Sequence, residues 1–267
     1  MNLNQPPIVL VLAGNDPSGG AGLCADIQAL ASHGCHAAPV ITSFTIQNTV
    51  NLFANFPLSG RQVAAQAQTI LVDMPIAAVK IGLLGSVEII EAIQSVLCQY
   101  SSLPVVLDPV LAASSGYSLA DIGVRQAIIK DLLPLIQIIT PNSEEARLLT
   151  GKTQLDAAAT DLIDAGCPWV CITGTHENTP MVINTLYSQG QKRESWQWPR
   201  LPNQYHGSGC TFAASLAGLL AQGKKMNLAV YEAQRYTWTS LQYGYQAGKG
   251  QVLPNRLYQP TNCWNHE

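Results

Sequence analysis

Short apolar runs alternate with segments of helical periodicity along most of this chain, and this alternation constrains the fold more than any other feature. The run IVLVLAG at 8–14 predicts a buried strand, and residues 21–34 place apolar side chains at helical spacing before a glycine stop at Gly34. The same alternation continues to PWVCITGTH at 168–176. Continuous apolar strands separated by helices are typical of a parallel sheet that is covered on both faces.

The pattern changes after residue 180. Residues 181–201, MVINTLYSQGQKRESWQWPRL, alternate and contain a turn signal at Gly190, which predicts antiparallel strands at a sheet edge. Helical segments follow at 206–223 and 227–248. Because no repeat or linker divides the chain, we expect one domain over residues 1–267. Its predicted fold is a three-layer α/β/α sandwich, with a mostly parallel central sheet and antiparallel edge strands.

The composition excludes several function classes. Hydrophobic residues make up 47% of the 267 residues and charged residues only 12%, so the chain can bury a large core and offer surface to a second copy of itself. The net charge of −3, without a basic stripe, argues against nucleic acid as a ligand. The N-terminal apolar run is too short for a signal core or membrane span, which predicts a cytoplasmic protein without a membrane partner. The seven cysteines, an odd number, are then expected as free thiols.

Polar, acidic and glycine-rich loops follow the predicted strands. In open α/β sheets, ligands bind beyond the carboxyl ends of the strands, so these loops are expected to form a site at one edge of the sheet. They are AGNDPSGGAG, SFTIQNT, IGLLG, LDPVLAASSG, TPNSEEA, TGTH and HGSGC. The long segments 51–60 and 111–120 are candidate lids over that site.

The last of these loops, HGSGC, leads into an apolar helix. Its glycines permit backbone N–H groups to converge, and the helix start adds free N–H groups and the positive end of its dipole. These features favour an anion site at Gly207, Ser208 and Gly209, for a phosphate or a developing oxyanion. Cys210 falls in the first helical turn, where we expect a lowered thiol pKa and a role as proton acceptor. A plain turn followed by a core cysteine is the alternative that the motif alone leaves open.

Two charged residues lie outside the loops themselves. Asp26 lies about one turn into the helix after SGGAG, where its carboxylate could accept hydrogen bonds from an amino or hydroxyl group of a ligand. A solvated helix residue is the alternative. Lys80 is a cation within an otherwise apolar strand. Because burying an unpaired charge is costly, we expect Lys80 to pair with a carboxylate or to reach a ligand.

Three further polar residues follow later strands. Asp108 ends an apolar strand, and Asn142 and Glu145 stand at a helix start. Glu145 could hold Mg²⁺ directly or through water, and Asn142 could orient phosphates. The same spacing fits an N-cap and its capping-box partner, and the sequence leaves both interpretations open.

Taken in order, these motifs resemble a known family. GNDPSGGAGLCAD, TIQNT, VKIGLLG, LDPV, TPNSEEA and HGSGCT are similar to the motifs of the hydroxymethylpyrimidine/phosphomethylpyrimidine kinases of thiamine biosynthesis, in the ribokinase-like superfamily. The resemblance covers residues from about 8 to about 223. It implies ATP and Mg²⁺ as cofactors, 4-amino-5-hydroxymethyl-2-methylpyrimidine as acceptor, and two successive phosphorylations to the diphosphate. Together with the charge-poor surface it also implies a homodimer.

The resemblance also implies roles for individual residues. Cys210 would be the base beside the anion hole, and Asp108 and Glu145 would be the metal ligands. Nucleotide phosphates would lie near Asp108, Asn142 and Thr173. The residues implied to line the pyrimidine pocket are Gly14, Ala21, Asp26, Gln47, Leu83 and Val110.

Several positions depart from the family pattern. Leu83 replaces a methionine, a tolerable exchange in an apolar pocket, and Ser114 stands where lysine or threonine is common. The family's KGGH becomes TGTH at 173–176, which removes a lysine that could contact nucleotide phosphates. The usual asparagine-threonine before HGSGC becomes Gln204-Tyr205. These changes fall on the nucleotide side or the flap side and leave the pyrimidine pocket mostly intact.

Two other functions remain open from the sequence. Pyridoxal kinases share the fold, and pyridoxal also presents a hydroxymethyl group on a flat nitrogen heterocycle, although Gln47 and Asp26 favour an aminopyrimidine. A pyrimidine-binding protein with weak kinase activity is the second alternative, because Thr173 replaces the family's lysine.

Overall fold

The computed structural model describes residues 5–112 and 116–258. Within these ranges the strands are β1 (Ile8–Asn15), β2 (His36–Gln47), β3 (Leu52–Pro57), β4 (Ile76–Ile81), β5 (Val105–Leu107), β6 (Ile138–Ile139), β7 (Trp169–Thr173), β8 (Met181–Ser188) and β9 (Gln191–Pro199). The helices are α1 (Gly22–Ser32), α2 (Gly60–Asp73), α3 (Val87–Leu97), α4 (Ile122–Ala127), α5 (Ser143–Thr150), α6 (Leu155–Asp164), α7 (Ser208–Ala221) and α8 (Met226–Gln242). None of these described helices is long and apolar enough to cross a membrane.

The strands form one sheet in the order β3-β2-β1-β4-β5-β6-β7-β8-β9. β1 pairs in parallel with β2 and β4, and the parallel ladder continues through β5, β6 and β7. β8 and β9 extend the sheet as antiparallel strands, and β3 runs antiparallel to β2 at the other edge. The predicted sandwich, with a mostly parallel sheet and antiparallel edges, is therefore confirmed.

The strand β1 shows how the sheet is covered on both faces. Its residues alternate between two hydrophobic clusters. Leu10 and Leu12 pack with helices α2 to α6, while Val9 and Val11 pack with helices α1, α7 and α8. All four side chains are buried, which explains why β1 is a continuous apolar run in the sequence.

β3 corrects the expectation that residues 51–60 form a loop-like lid. β2 continues to Gln47, and β3 pairs with it as a hairpin. Oδ1 of Asn48 closes the turn by accepting the backbone N–H groups of Val50 and Asn51, each at 2.9 Å. The short run LFANFP lacks a regular alternation of apolar and polar residues, so its strand became visible only through its pairing with β2.

The second candidate lid, residues 111–120, is described only in part. Ala112 and Ser118 form an antiparallel bridge. Residues 113–115, among them Ser114, lie outside the described residues, so the role of that position stays a prediction.

Residues 121–134, DIGVRQAIIKDLLP, have the periodicity of one helix, but the structure breaks it. α4 is followed by a π-helical turn (Ile128–Leu132) and a 3₁₀ turn (Leu133–Leu135). Pro134 accounts for the break, because proline has no N–H and its ring crowds the carbonyl group one turn earlier.

Candidate active site

The strand order leaves a crevice at the carboxyl ends of β1 and β4. These strands are neighbours, but the helices that follow them, α1 and α3, pack on opposite faces of the sheet. The loops after the two strands therefore diverge, and ligands of open sheets bind at such a point. Gly14 and Leu83 border the crevice, since a Cβ added to Gly14 would lie 2.9 Å from Cδ2 of Leu83.

The loop after β1 (residues 16–22, the glycine loop) packs directly against the loop before α7 (residues 206–210, the anion loop). A Cβ added to Gly207 would lie 1.9 Å from the carbonyl oxygen of Gly20, and Gly207 has a φ of +82°. A Cβ added to Gly20 would lie 2.4 Å from Cδ2 of His206. Both positions require glycine for space, and Gly207 requires it also for its backbone conformation.

Asp16 and His206 join the two loops through their side chains. Nε2 of His206 lies 2.8 Å from Oδ2 of Asp16. Oδ2 also accepts the backbone N–H of Ala21, and Oδ1 accepts that of Ser18, each at 2.8 Å. Burial alone would raise the pKa of Asp16, but the hydrogen bond and charge of His206 and the bonds from Ser18 outweigh it and lower the pKa to about 2. Sequence reasoning assigned neither residue a role, although an aspartate that binds an N–H two residues later is a common turn former.

The anion loop ends in a helix N-terminus without a side-chain cap. α7 begins at Ser208 after the left-handed Gly207, and within residues 5–112 and 116–258 this helix start has no side-chain cap. Gly209 is exposed there, and a Cβ on it would lie 3.6 Å from Oδ1 of Asp108. The predicted residues Gly207, Ser208 and Gly209 are thus brought together as backbone donors that an anion can approach at the positive end of the helix.

Cys210 lies at this helix start among charged groups. The residue keeps some solvent exposure, but its thiol is enclosed and lies close enough to Asp108 to affect the pKa of that carboxyl group. Burial raises the pKa of the thiol to about 12, with Lys80 opposing the shift and the carboxylates of Asp108 and Asp26 adding to it. The expectation of a lowered pKa is therefore wrong, because lost hydration and two carboxylates outweigh the helix dipole and Lys80.

Lys80 is a fully buried cation on the central strand β4. Its Nζ donates to Oδ2 of Asp26 at 2.9 Å, and neither side chain has exposed surface. Burial alone would lower the pKa of Lys80, but Asp26, Cys210 and Asp108 raise it above its ordinary value, so the ammonium stays charged. The expected pairing of Lys80 with a carboxylate is confirmed.

One oxygen of Asp26 is left without a partner. Oδ1 is buried, and no described residue donates a hydrogen bond to it. Burial raises the pKa of Asp26 to about 6, against the effect of Lys80. Asp26 is therefore not the solvated helix residue of the alternative interpretation, and its contact with a substrate stays a prediction.

Asp108 and Glu145 are two acidic groups close enough for the Asp108 charge to act on the pKa of Glu145. Burial raises the pKa of both carboxyl groups, and the Asp108 carboxylate raises that of Glu145 further. The backbone N–H groups of Asn142 and Leu111 donate to Oε2 and Oε1 of Glu145, at 2.9 and 3.5 Å. A bound cation would relieve the repulsion between the two carboxylates.

The capping-box interpretation of Asn142 and Glu145 is confirmed. Oδ1 of Asn142 accepts the N–H of Glu145 at 2.9 Å, and the Glu145 side chain accepts the N–H of Asn142 in return. Asn142 also forms a parallel bridge with Thr173. The two residues predicted on the nucleotide side, Asn142 and Thr173, are therefore neighbours.

The other predicted substrate residues lie at the same edge of the sheet. A Cβ on Gly22 would lie 2.3 Å from the carbonyl oxygen of Gly14, so Ala21, the N-cap of α1, is held beside the end of β1. Val110 is half-buried in the turn after β5, and Gln47 is the last residue of β2. Their contacts with a substrate stay predictions.

A C-terminal segment that carries no sequence motif also reaches the site. The N–H of Val252 donates to the carbonyl oxygen of Gln204, and the N–H of His206 donates to that of Val252, both at 3.0 Å. Arg256 is buried, and its Nη2 donates to the carbonyl oxygen of Gly20. Sequence reasoning missed this residue, because no local pattern signals a contact with loops so distant in sequence.

The sequence profile of the family described as phosphomethylpyrimidine kinase matches residues 16–255. The chain belongs to this family. A relative, the hydroxymethylpyrimidine/phosphomethylpyrimidine kinase of Staphylococcus aureus (strain MSSA476), is 33% identical over 260 residues, which cover 95% of this chain and 94% of that protein. The resemblance stated from the motifs is confirmed.

Solved kinase structures share the fold. A pyridoxal kinase of Bacillus subtilis, solved as an ADP complex, has a TM-score of 0.86 at 27% identity, with 94% of this chain and 98% of that chain covered. The phosphomethylpyrimidine kinase of Clostridium difficile 630 has a TM-score of 0.76 at 31% identity, with 86% and 97% covered. The chain is a kinase of the group that includes hydroxymethylpyrimidine and pyridoxal kinases.

Gly207→Ala tests the contact between the two loops. We expect it to lower phosphoryl transfer by about hundredfold or more, because the new Cβ would meet the carbonyl oxygen of Gly20 and alanine is strained at this φ. The matched control is Gly223→Ala, which has a φ of +78° but open space around the Cβ. It should lose about 1–2 kcal/mol of unfolding free energy and keep its turnover number. Steady-state kinetics and thermal unfolding measure both effects, and equal turnover in both variants would contradict the loop contact.

The raised pKa of Glu145 predicts a pH-dependent stability. A carboxyl group whose pKa is higher in the folded state, here above its ordinary 4.5, binds more protons when folded, so the unfolding free energy falls as pH rises from about 5 to about 9. Glu145→Gln removes this titration. It should raise the unfolding free energy at about pH 8.5 by about 1 kcal/mol or more, measured by thermal unfolding without nucleotide or divalent cations.

Glu144→Gln is the matched control for this pH profile. It is the same change in the same helical turn, on a side chain that is 71% exposed. It should leave the profile as in the wild type. Identical profiles for the two variants would argue against a buried carboxylate pair.

Proposed function

We propose that the chain transfers the γ-phosphoryl group of ATP to 4-amino-5-hydroxymethyl-2-methylpyrimidine, and then a second one to the monophosphate, which gives the diphosphate. Family membership and the 33% identical relative support this proposal. The observation that carries it is the uncapped start of α7, which lies beside Cys210 and Asp108 at the carboxyl edge of the sheet. Backbone donors at a helix N-terminus stabilise the oxygens of a transferring phosphoryl group.

The unpaired Oδ1 of Asp26 supports an aminopyrimidine as acceptor. A buried carboxylate oxygen without a donor costs free energy, and the ring amino group of the pyrimidine would supply that donor. Gln47, at the end of β2, offers a donor and an acceptor to the ring edge. Pyridoxal carries no ring amino group.

In this proposal the thiol of Cys210 first loses its proton to water, and the thiolate then accepts the proton of the acceptor hydroxyl group as that oxygen bonds to the γ-phosphorus and ADP leaves. Burial and the carboxylates of Asp108 and Asp26 oppose the thiolate, so compensation of the Asp108 charge would favour it. Lys80 is a nearby cation and favours the thiolate as well. Positioning and charge compensation supply most of the rate, since phosphoryl transfer through a loose transition state needs little covalent help.

Mg²⁺ fits the Asp108–Glu145 pair. No group of three or more His, Cys, Asp or Glu side chains that could hold a metal ion occurs within residues 5–112 and 116–258. Mg²⁺, however, is commonly held by one or two carboxylates together with substrate phosphates and water. The raised pKa of Glu145, caused first by burial and then by the Asp108 charge, supports a neutralising cation or proton at this pair. When bound there, Mg²⁺ would neutralise charge on the nucleotide phosphates.

Pyridoxal phosphorylation is the second candidate function. The pyridoxal kinase of Bacillus subtilis superposes on 94% of this chain, and pyridoxal also presents a hydroxymethyl group on a flat ring. Both acceptors would place that group near Cys210, so the assay below compares them directly.

A homodimer is part of the proposal. The β2–β3 hairpin exposes apolar side chains on a charge-poor chain, which supports association with a second copy. These side chains are Phe44, Ile46, Phe53 and Phe56.

Cys210→Ala tests the proposed base. It should lower the turnover number by about hundredfold or more, with the affinity for ADP retained, because backbone groups of the anion loop remain. Cys210→Ser is the informative comparison, since serine keeps a similar size and a polar hydrogen near Asp108 but is a much weaker acid. Both are measured with Mg-ATP and the wild type's preferred acceptor. Wild-type turnover in the serine variant would contradict the role of Cys210 as a base and would assign it a packing role only.

The acceptor is decided by a product-resolved assay. The wild type receives Mg-ATP with the pyrimidine, its monophosphate, pyridoxal, or a pyrimidine analogue without the 4-amino group. We expect mono- and diphosphate from the pyrimidine, and a KM about tenfold to hundredfold higher for the analogue, because Asp26 loses a donor. Equal KM values for the pyrimidine and its analogue would contradict the role of Asp26. Preferred turnover of pyridoxal would favour the second candidate, and binding without any product would favour a pyrimidine-binding protein.

A further inference from the structure

A buried arginine lies behind the two phosphate-side loops. Arg256 is 2% exposed. Its Nη2 donates to the carbonyl oxygens of Gly20 and Gly207, at 2.5 and 3.5 Å, and its Nε donates to Oγ1 of Thr211 at 2.8 Å. One guanidinium group therefore contacts the glycine loop, the anion loop and the first turn of α7.

We propose that Arg256 is a positioning residue for phosphoryl transfer, which fixes the anion loop relative to the glycine loop. The two loops meet at Gly20 and Gly207, which have no side chains, and the Asp16–His206 pair is another side-chain link between the loops. The guanidinium group supplies a rigid fork of donors at this junction. Because the reacting groups must be held within a fraction of an ångström, a small shift of the anion loop lowers the rate strongly.

The contact with Gly207 acts directly on a donor of the anion site. The Gly207 carbonyl oxygen also accepts the N–H of Thr211 at 3.0 Å and its hydroxyl group at 2.8 Å. The N–H of Ser208 belongs to the same peptide unit, and hydrogen bonds to a carbonyl polarise the N–H of that unit. Arg256 thus orients and strengthens a donor of the anion site without touching the phosphate itself.

The backbone of Arg256 is anchored independently of its guanidinium group. Its carbonyl oxygen accepts the hydroxyl group of Tyr236 in α8 at 2.7 Å and that of Ser32 in α1 at 2.5 Å. The remaining guanidinium contact, from Nη1 to Oε1 of Gln28 at 3.2 Å, joins the side chain to α1. Truncation of the side chain therefore leaves the C-terminal segment attached and removes mainly the tie between the loops.

The test compares Arg256→Ala and Arg256→Lys with the wild type. This inference rests on the proposed kinase function, and turnover is measured with the acceptor that the wild type prefers. Lysine keeps the charge but cannot bond the Gly20 carbonyl and the Thr211 hydroxyl group with the same geometry. The controls are Arg235→Ala, which removes an exposed arginine of α8, and Gln28→Ala, which removes only the contact to α1. The measurements are turnover number, KM, thermal unfolding, the dissociation constants of ADP and AMP-PCP, and turnover with added guanidinium ion.

We expect Arg256→Ala to lower the turnover number by about tenfold to hundredfold, while the KM of the acceptor and the Kd of ADP change by less than about threefold. The preference for AMP-PCP over ADP should fall, because only AMP-PCP carries a group at the γ position. Added guanidinium ion should restore part of the turnover of Arg256→Ala. The turnover number of Arg256→Lys should lie between those of Arg256→Ala and the wild type, and both control variants should have the wild-type turnover number.

Three results would overturn the inference. The first is a turnover loss in Arg256→Ala that the unfolded fraction alone explains. The second is wild-type turnover in a folded Arg256→Lys variant. This result would overturn the inference even if the alanine variant does not fold. The third is an unchanged ratio of AMP-PCP to ADP affinity. This ratio needs no turnover, so it tests Arg256 even if the wild type phosphorylates none of the acceptors, an outcome that would refute the proposed function separately.

Discussion

The buried ion pair of Lys80 and Asp26 fixes the geometry on which the rest of the site depends. Removing an ammonium group from water costs several kcal/mol, so Lys80 requires a close carboxylate, and Asp26 lies 2.9 Å away. Lys80 belongs to β4 and Asp26 to α1, so their pairing restricts how α1 can lie on the sheet. The glycine loop connects β1 to α1 and is restricted with it. The buried ion pair beneath the site therefore limits where the glycine loop can lie.

The site gathers several acidic groups. Asp108 raises the pKa of Glu145, one oxygen of Asp26 has no donor among the described residues, and the thiol of Cys210 is held in its neutral form. In the proposed function, nucleotide phosphates would add further negative charge here. A cation would then have to accompany them, which is the physical reason for proposing Mg²⁺ at Asp108 and Glu145.

The sequence predicted much of the fold and which loops lie together at one edge of the sheet, because both follow from local patterns. Continuous apolar strands imply a sheet covered on both faces, and the loops at their carboxyl ends include Gly207, Asp108 and Glu145. Properties that depend on three-dimensional surroundings were missed or wrong. The thiol pKa of Cys210 is set by burial and by carboxylates from other loops rather than by its place in a helix. Arg256 meets Gly20 across 236 residues, and no periodicity or motif signals such a contact.

The parts of the site differ in how closely they depend on the acceptor. In the proposed function, the anion loop would act through backbone N–H groups, supported by Arg256, the Asp16–His206 pair and the Lys80–Asp26 ion pair. Most of these elements would then serve the phosphoryl group, whatever ring carries the hydroxyl group. Ring recognition would fall to a few side chains, namely Gln47, Leu83, Val110 and Asp26. Overall sequence and structural similarity therefore identifies the chain as a kinase but separates pyrimidine from pyridoxal kinases poorly. The groups that would hold the phosphoryl group belong to the fold that both kinds of kinase share, whereas the groups that would contact the ring occupy only a few positions.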